Sequence, residues 1–223
     1  MSLFIIEGID GSGKSTQLKM LKERFEAEGR EVVTLKFPVY DDLSSGPVRM
    51  YLNGELGSNP DDINAFAASS FYAIDRYASY KKSWEGAYKE GKLILSDRYT
   101  VSNIIHQSSK LPLEERPPFI EWLYDLEFGK LGIPMPDMIF YLDVPPQISV
   151  KKMEERYGGN AEKKDIHEKD NGYLQRCYDA GIYACDILGM CKVPCIKDGD
   201  MLPAEEINDY IYSKIKEKLA AGE

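Results

Sequence analysis

The length, composition and charge of the chain limit the kind of protein it can be. With 223 residues, 43% hydrophobic and 29% charged, the chain has the composition of a soluble globular protein and not of a disordered one. Its formal net charge of −9 argues against a nucleic-acid polymer as main partner, although a few focused cations still allow a small anionic substrate.

The chain carries no sign of export or membrane insertion. Its first residues, MSLFIIEG, lack a basic region and are too short for a signal peptide, and no apolar run approaches the roughly 18 residues that span a bilayer. The four cysteines form no CxxC pair and only two histidines could join them, so we expect free thiols and no zinc site. These features predict a cytoplasmic protein with no membrane partner.

Apolar runs alternate with longer amphipathic stretches along the chain. Five runs predict strands, at residues 2–8, 31–37, 92–97, 136–144 and 192–197. Helices are predicted over 15–28, over 61–90 beginning at Asp61 or Asp62, and over about 203–220. Strands separated by helices predict an α/β fold, a five-stranded parallel sheet flanked by helices on both faces.

One segment departs from this alternation. Residues 156–172, RYGGNAEKKDIHEKDNG, are polar, contain glycine and are rich in both charges. This composition fits a mobile lid, and it fits a plain surface loop equally well. We expect a single domain over residues 1–223, with the lid at about 156–172.

Residues 8–16, GIDGSGKST, match the phosphate-binding pattern G-x-x-x-x-G-K-[ST] at every required position. Glycines let successive backbone N–H groups face phosphate oxygens, and the helix that follows adds its positive end. Lys14 is expected to reach the β- and γ-phosphates, and Ser15 to ligate Mg²⁺. The predicted nucleotide-binding residues here are Gly8, Asp10, Gly11, Ser12, Gly13, Lys14, Ser15 and Thr16.

The rest of the chain narrows the class of nucleotide-binding protein. A GTPase switch reads guanine with an N-K-x-D segment, and the sequence contains no Asn-Lys pair. A large motor ATPase would be longer than 223 residues. A small kinase therefore fits best, and a regulatory module that binds a nucleotide without phosphoryl transfer is the alternative from another class.

The segment SDRYTVSNIIHQ, residues 96–107, supplies candidates for a second anionic pocket. Asp97 ends an apolar strand, where ligands gather in a parallel sheet, and can hold Mg²⁺ directly or through water. Arg98 can clamp an acceptor phosphate with two hydrogen bonds, although a salt-bridged loop is the plain alternative.

Two helical faces carry groups suited to a nucleobase. Asn103, His106 and Gln107 share one face, which could hydrogen-bond a base or could simply be solvated. Tyr72 and Arg76 are four residues apart, and an aromatic ring beside an arginine is what a pyrimidine site would use.

Taken together, these segments resemble the thymidylate kinase family of P-loop nucleoside monophosphate kinases. The matching pieces follow the family's order and spacing from residue 5 to about 200. They are IEGIDGSGKST, FPVY at 37–40, FYAIDR at 71–76, SDRYTVSN at 96–103, PDMIFYLDV at 136–144 and the predicted lid at about 156–172. The resemblance implies transfer of the γ-phosphoryl group of MgATP to dTMP in a protein that is usually a homodimer.

The resemblance also implies roles for individual residues. Asp10 would contact the acceptor's 3′-hydroxyl and help order the phosphate and metal region, and Arg98 would clamp the acceptor phosphate. Tyr72 would stack on thymine and Arg76 would read a thymine carbonyl. The remaining acceptor-site positions are Phe37, Tyr40, Asn103 and Gln107.

Three positions depart from the family's pattern. Val39 stands where many members have an arginine, with Arg49 as a possible substitute, and His106 stands where an aromatic ring often crowds the sugar's 2′ position. Gly11 replaces an arginine that one branch of the family carries. The other branch supplies that charge from the lid, where the candidates are Arg156, favoured for its planar fork, Lys163 and Lys164.

The predicted reaction needs no general base, because a phosphate monoester with a second pKa of about 6 is already mostly a dianion at neutral pH. Catalysis is expected from positioning and charge neutralisation by Lys14, Mg²⁺, Arg98 and the lid. Another monophosphate (dUMP, or UMP and CMP) or a deoxynucleoside is the alternative acceptor.

Overall fold

Five apolar runs pair as strands in the computed structural model, which describes residues 2–157 and 171–222 apart from the side chains of Arg156, Tyr157 and Asn171. The strands are β1 (Ser2–Glu7), β2 (Val32–Lys36), β3 (Leu93–Asp97), β4 (Met138–Asp143) and β5 (Cys191–Pro194). All neighbours pair in parallel, in the order β2-β3-β1-β4-β5, so the predicted sheet is confirmed.

Helices connect the strands and cover both faces of the sheet. They are α1 (Lys14–Ala27), α2 (Gly46–Leu52), α3 (Ala65–Ser79), α4 (Glu85–Lys89), α5 (Thr100–Gln107), α6 (Arg116–Tyr124), α7 (Pro146–Tyr157), α8 (Asn171–Leu188) and α9 (Ala204–Gly222). Wider π-type turns, Tyr80–Trp84 and Asp125–Lys130, follow α3 and α6. Across the described ranges, no helix is long and apolar enough to cross a membrane.

The central strand β1 buries different side chains on its two faces. Phe4 and Ile6 pack in the layer of α1 and α9, whereas Leu3 and Ile5 pack on the opposite face in an aromatic cluster around Trp84. Full burial of each such side chain contributes roughly 1.5–3 kcal/mol. The consecutive apolar residues of this strand are thus explained by a sheet covered on both sides.

The carboxyl ends of the central strands lie at the same edge of the sheet. Asp97 is in register with Ile6 on one side and with Lys36 on the other. β1 lies between β3 and β4, where the strand order reverses, and ligands bind at such positions in α/β sheets. The glycine loop after β1 and the residues after β3 are therefore neighbours.

The long helix begins later than the sequence predicts. Pro60–Asp62 form a single 3₁₀ turn, so the predicted start at Asp61 or Asp62 is wrong. Asn64 caps α3 instead, because its side-chain oxygen accepts a hydrogen bond from the backbone N–H of Ala67 at 2.8 Å.

The last predicted strand, residues 192–197, is two separate elements. β5 ends at Pro194, which has no N–H to continue a ladder. The next strand, β6 (Ile196–Lys197), pairs antiparallel with β7 (Asp200–Met201) and forms a small hairpin outside the main sheet. Cys195, between the two elements, is fully buried.

Candidate active site

The glycine loop joins the end of β1 to the start of α1. Gly8, Gly11 and Gly13 all have positive φ angles, with Gly13 as the cap that directly precedes α1. A Cβ on Gly8 would lie 2.7 Å from Oγ of Ser12, so the turn is too tight for another residue there. The predicted strand–loop–helix setting of the phosphate-binding pattern is thus present, with Thr16 exposed in the first turn of α1.

Lys14 is folded back over this loop. Its Nζ donates hydrogen bonds to the carbonyl oxygens of Gly8 at 3.0 Å and Ile9 at 2.9 Å, and the residue is 7% exposed. Burial, with a smaller contribution from Arg98, lowers the pKa of Lys14 to about 8, although nearby Asp10 opposes the change. The side chain of Lys14 therefore loses its proton more easily than an ordinary lysine.

The two predicted metal-binding residues meet at the same edge of the sheet. Oγ of Ser15 donates a hydrogen bond to Oδ2 of Asp97 at 2.6 Å, although 82 positions separate the two residues. A hydroxyl and a carboxylate are hard oxygen donors, and Mg²⁺ in nucleotide sites is commonly held by one or two such groups together with phosphates. The pair therefore fits a magnesium site.

Arg98 has an unusual backbone conformation directly after β3. Its φ angle is +72°, which is uncommon for a residue with a side chain, and its N–H donates to the carbonyl oxygen of Ile6 at 3.1 Å. Such conformations cost about 1–3 kcal/mol and are concentrated at functional sites. With this conformation the backbone leaves the sheet at Arg98, at the edge where the glycine loop lies.

The guanidinium of Arg98 is held by three side chains. Nη2 donates to Oδ1 of Asp10 at 2.5 Å, while Nη1 contacts Oγ of Ser102 at 3.2 Å and Nε2 of His106 at 2.9 Å. Burial opposes the charge, but Asp10, Glu7 and Asp97 outweigh it and raise the pKa of Arg98. Of its five N–H groups, two lack an acceptor within the described ranges.

Glu7 is a charged residue of this site that sequence reasoning missed. Its carboxylate is fully buried and accepts hydrogen bonds from the N–H of Tyr99 at 2.9 Å and from Oγ of Ser102 at 2.8 Å. Burial raises its pKa, against the effect of Arg98. A carboxylate at the end of an apolar strand, directly before the glycine loop, was the available signal.

The nucleobase candidates lie between α3 and α5. All eight residues of α5 are buried, so a solvated face for Asn103, His106 and Gln107 is wrong. Nδ2 of Asn103 donates to the carbonyl oxygen of Ser69 at 3.1 Å, which ties α5 to α3. Tyr72, on α3, is half-buried and packs against the cluster of Val48, Tyr51, Leu52 and Ala68.

Arg76 is 1% exposed and makes an ion pair that the sequence did not predict. Its Nε and Nη2 donate to the two carboxylate oxygens of Glu127 at 2.7 and 2.6 Å. Thr100, at the start of α5, donates to the same carboxylate at 2.9 Å. Glu127 therefore orients the arginine from the side of the protein core.

Gln107 is fully buried, and neither polar atom of its amide has a hydrogen-bond partner within the described ranges. Oγ of Ser69 is buried and unpaired in the same sense. Buried polar groups of this kind cost about 1–3 kcal/mol each, and they are expected where a ligand supplies the missing partners.

The segment after β2 carries the remaining predicted acceptor-site residues. Phe37 is 3% exposed and packs on Tyr99 with ring centroids 5.9 Å apart, whereas Tyr40 is 47% exposed. Buried Asp75, which sequence reasoning missed, accepts hydrogen bonds from the N–H of Val39 and from Ser44. Nη1 of Arg49 donates to the carbonyl oxygens of Tyr40 and Asp42, so this arginine stabilises the backbone of the segment.

Gly11 lies against α7. A Cβ at this position would meet the carbonyl oxygen of Ser149 at 2.6 Å, and its φ angle is +79°. Ser149 also donates a hydrogen bond to the carbonyl oxygen of Asp10. An arginine at position 11 would therefore require α7 to move. This steric conflict explains why the chain has glycine where one branch of the family has arginine.

The predicted lid cations lie outside the described residues. Arg156 belongs to α7 by its backbone, but its side chain is not described, and Lys163 and Lys164 fall between the described ranges. Their predicted roles remain predictions.

Comparisons with known proteins agree on one family. The family model described as Thymidylate kinase matches residues 6–186. A thymidylate kinase of Mycobacterium tuberculosis is 31% identical over 180 residues, which cover 78% of this chain and 81% of that protein. A probable thymidylate kinase of Thermococcus kodakarensis is 34% identical over 154 residues (68% and 71%), and one of Pyrobaculum aerophilum is 29% identical over 190 residues (83% and 88%).

Proposed function

The chain belongs to the thymidylate kinase family, and we propose that it transfers the γ-phosphoryl group of ATP to dTMP, giving dTDP and ADP. Its family makes it an ATP-dependent phosphotransferase. The observation that carries the acceptor assignment is the pair formed by Asp10 of the glycine loop and Arg98. The pair would place the guanidinium beside the phosphates of a bound nucleotide, and two of its N–H groups have no acceptor among the described residues.

The proposed chemistry is an in-line displacement. An oxygen of the dTMP phosphate dianion forms a bond to the γ-phosphorus while the bond from that phosphorus to the β-phosphate oxygen breaks, and ADP leaves with the electron pair. No proton has to be removed first, because the second pKa of a phosphate monoester is about 6. Lys14 and Arg98 act by positioning the two nucleotides and by neutralising charge on the transferred group.

We assign the metal site to Ser15 and Asp97, whose oxygen atoms are 2.6 Å apart. A Mg²⁺ ion bound with ATP would neutralise phosphate charge at this position. Asp97 is 2% exposed, so its carboxylate is held in place before any ligand arrives.

We assign base recognition to the space between α3 and α5. Tyr72 would stack on thymine, while Arg76, Asn103 and Gln107 would meet its polar edge. The fully buried amide of Gln107, which has no hydrogen-bond partner among the described residues, supports this assignment, since a pyrimidine offers both a donor and an acceptor. Phe37, Tyr40, Arg49 and His106 complete the proposed acceptor site.

A further cation from the segment 156–172 is part of the proposal. Arg156 is the first candidate, followed by Lys163 and Lys164. The tight packing of Gly11 against Ser149 supports this idea, because that packing leaves no room for the arginine that one branch of the family has there.

We also propose a homodimer in a reducing compartment such as the cytoplasm. Phe66, Ile74 and Tyr77 of α3 are 42%, 53% and 37% exposed, and a second copy of the chain would cover them. The four cysteines are free thiols, which suits a reducing environment.

A panel of acceptors tests the proposal. The purified protein with MgATP is given dTMP, dUMP, UMP, CMP or thymidine, and ADP release is followed with a coupled assay. We expect the highest kcat/KM for dTMP, with dUMP lower by roughly ten- to 200-fold, the worth of one methyl group in a fitted apolar pocket. Preference for another acceptor would overturn the choice of dTMP, and no acceptor-dependent ADP release would overturn the transfer itself.

The matched control uses two lysines of α1. Lys14→Ala removes the buried ammonium of the glycine loop and should abolish turnover. Lys19→Ala removes a lysine whose side chain is 77% exposed, so turnover should be unchanged. Equal activities of the two variants would contradict the role of Lys14.

A further inference from the structure

His106 connects Arg98 to the buried helix α8. Its Nε2 lies 2.9 Å from Nη1 of Arg98, and its Nδ1 lies 3.5 Å from Sγ of Cys177. The residue is 7% exposed, and its ring centroid is 6.2 Å from that of Tyr173. The imidazole therefore has a defined polar partner at each nitrogen.

The direction of these hydrogen bonds follows from Arg98. A guanidinium has donors and no acceptor, and the ion pair with Asp10 keeps it charged. Nε2 of His106 must then accept, which requires an imidazole without a proton on that nitrogen. A neutral imidazole carries its single proton on the other nitrogen, Nδ1, which faces the sulfur of Cys177.

The groups beyond Cys177 are consistent with this assignment. Burial raises the pKa of Cys177 to about 12, so the sulfur is a neutral thiol that can accept from Nδ1 and donate its own proton. The thiol donates toward Oγ of Ser109 at 3.8 Å, and Ser109 donates to the carbonyl oxygen of His106 at 2.8 Å. The O–H of Tyr173 donates to the same carbonyl at 2.7 Å, so every donor in the cluster has an acceptor.

We infer that His106 is a positioning residue for Arg98. In this role the imidazole is the Nδ1–H tautomer, which accepts from Arg98 at Nε2 and donates to Cys177 from Nδ1. Nη1 is held by His106 and Ser102, and Nη2 by Asp10, so two N–H groups without an acceptor among the described residues are left for the phosphate of the acceptor. The residue thus acts through Arg98 and not only by filling space beside the sugar. This inference rests on the proposed function for its catalytic consequence, but the tautomer does not depend on it.

The tautomer can be measured without substrate. The chain has two histidines, so His167→Gln leaves His106 as the only one. In the ¹⁵N-labelled variant at pH 7.5, a long-range ¹⁵N–¹H correlation spectrum should show the Nδ1–H form of a neutral imidazole. An Nε2–H imidazole or an imidazolium would overturn the inference.

Two substitutions separate the nitrogens of the ring. In His106→Gln the side-chain amide reaches the position of Nε2 and keeps an acceptor for Arg98, whereas in His106→Asn it reaches only the position of Nδ1. We expect Gln to retain kcat/KM for dTMP within about three-fold, and Asn to lower it roughly ten-fold or more, the worth of a hydrogen bond to a charged group. KM for ATP should change in neither variant.

Thermal unfolding of both variants checks that they are folded to the same extent. Equal losses of kcat/KM in both variants, or no loss in either, would overturn the inference. If His106 had only a structural role, kcat/KM would change with the stability of the variant and not with the position of its side-chain acceptor. If wild-type protein showed no turnover of dTMP, the proposed function would fail while the spectrum would still decide the tautomer.

A second pair of variants covers the case in which His106→Gln does not fold. Cys177→Ser keeps an acceptor for the proton on Nδ1, and Cys177→Val removes it in a side chain of similar size. We expect a higher KM for dTMP in the Val variant alone. The same KM in both variants would overturn the role of Cys177.

Discussion

Lys14, the proposed phosphate-binding lysine, is held by the backbone of its own loop. Its ammonium has left water and is satisfied by two carbonyl oxygens, of Gly8 and Ile9, which are the hydrogen-bond partners a phosphate would replace. The buried position and the neighbouring Arg98 lower its pKa to about 8. Its charge in the free protein is therefore conditional on pH.

We predict that ATP binding takes up a proton through Lys14. At pH 8 about half of the free lysine is neutral, and phosphate charge favours the ammonium and raises its pKa, so binding should take up roughly half a proton. Titration calorimetry in two buffers of different ionisation enthalpy measures this uptake, which should vanish near pH 6. Lys14→Met should abolish the proton uptake. Undiminished uptake in that variant would mean that a group other than Lys14 takes up the proton.

We predict that Arg98→Ala damages use of the acceptor much more than use of ATP. Truncating one member of a buried charged pair costs about 2–5 kcal/mol, so KM for dTMP should rise roughly 100-fold or kcat/KM fall by as much. Steady-state kinetics with each substrate varied makes the comparison, with Arg24→Ala at the α1–α9 contact as the control. Unchanged kinetics with dTMP would show that the acceptor site is wrongly assigned.

At the scale of elements, one carboxylate joins three segments around the proposed base site. Glu127 lies in the π-type turn Asp125–Lys130, pairs with Arg76 of α3, and accepts a hydrogen bond from Thr100 at the start of α5. Glu127 and Arg76 are both buried, so bulk solvent does not screen the charge of either side chain. The arrangement holds α3 and α5 in one relative position.

Removal of this carboxylate is predicted to be strongly destabilising. Glu127→Ala leaves an uncompensated buried guanidinium and should lower the free energy of unfolding by about 3–5 kcal/mol. Glu121→Ala, on the exposed side of α6, should stay within about 0.5 kcal/mol. Urea denaturation measures both; a loss below roughly 1 kcal/mol for Glu127→Ala would mean that the pair is not formed in solution.

At the scale of the whole molecule, we predict that the exposed apolar residues of α3 mediate association. Light scattering after gel filtration should give twice the mass of the chain, and Ile74→Glu should give the mass of one chain, since a buried unpaired charge is costly in an interface. Ile187→Glu on α8, where the wild-type side chain is 46% exposed, should leave the dimer intact. Dissociation by both variants, or by neither, would reject this face as the interface.

The parts of the site that depend on contiguous residues are predictable from the sequence. The glycine loop, Lys14 and Ser15 lie within one short stretch, and the geometry of a strand–loop–helix turn is largely local. The apolar strands predict the sheet in the same way, because burial on both faces leaves no polar alternation. The proposal of Asp97 as a metal ligand also starts from the sequence, because a carboxylate ends an apolar strand there.

The sequence by itself therefore determined the nucleotide loop, the parallel sheet and the resemblance to a kinase family, since each is written in neighbouring residues. Only the tertiary structure decided which distant polar side chains pair: Arg98 with Asp10, Arg76 with Glu127, and His106 with Cys177. Each pair joins segments between 51 and 88 positions apart. Polar side chains that are buried must pair with one another, whereas exposed ones can stay hydrated. Burial is a property of the folded chain and cannot be read from neighbouring residues.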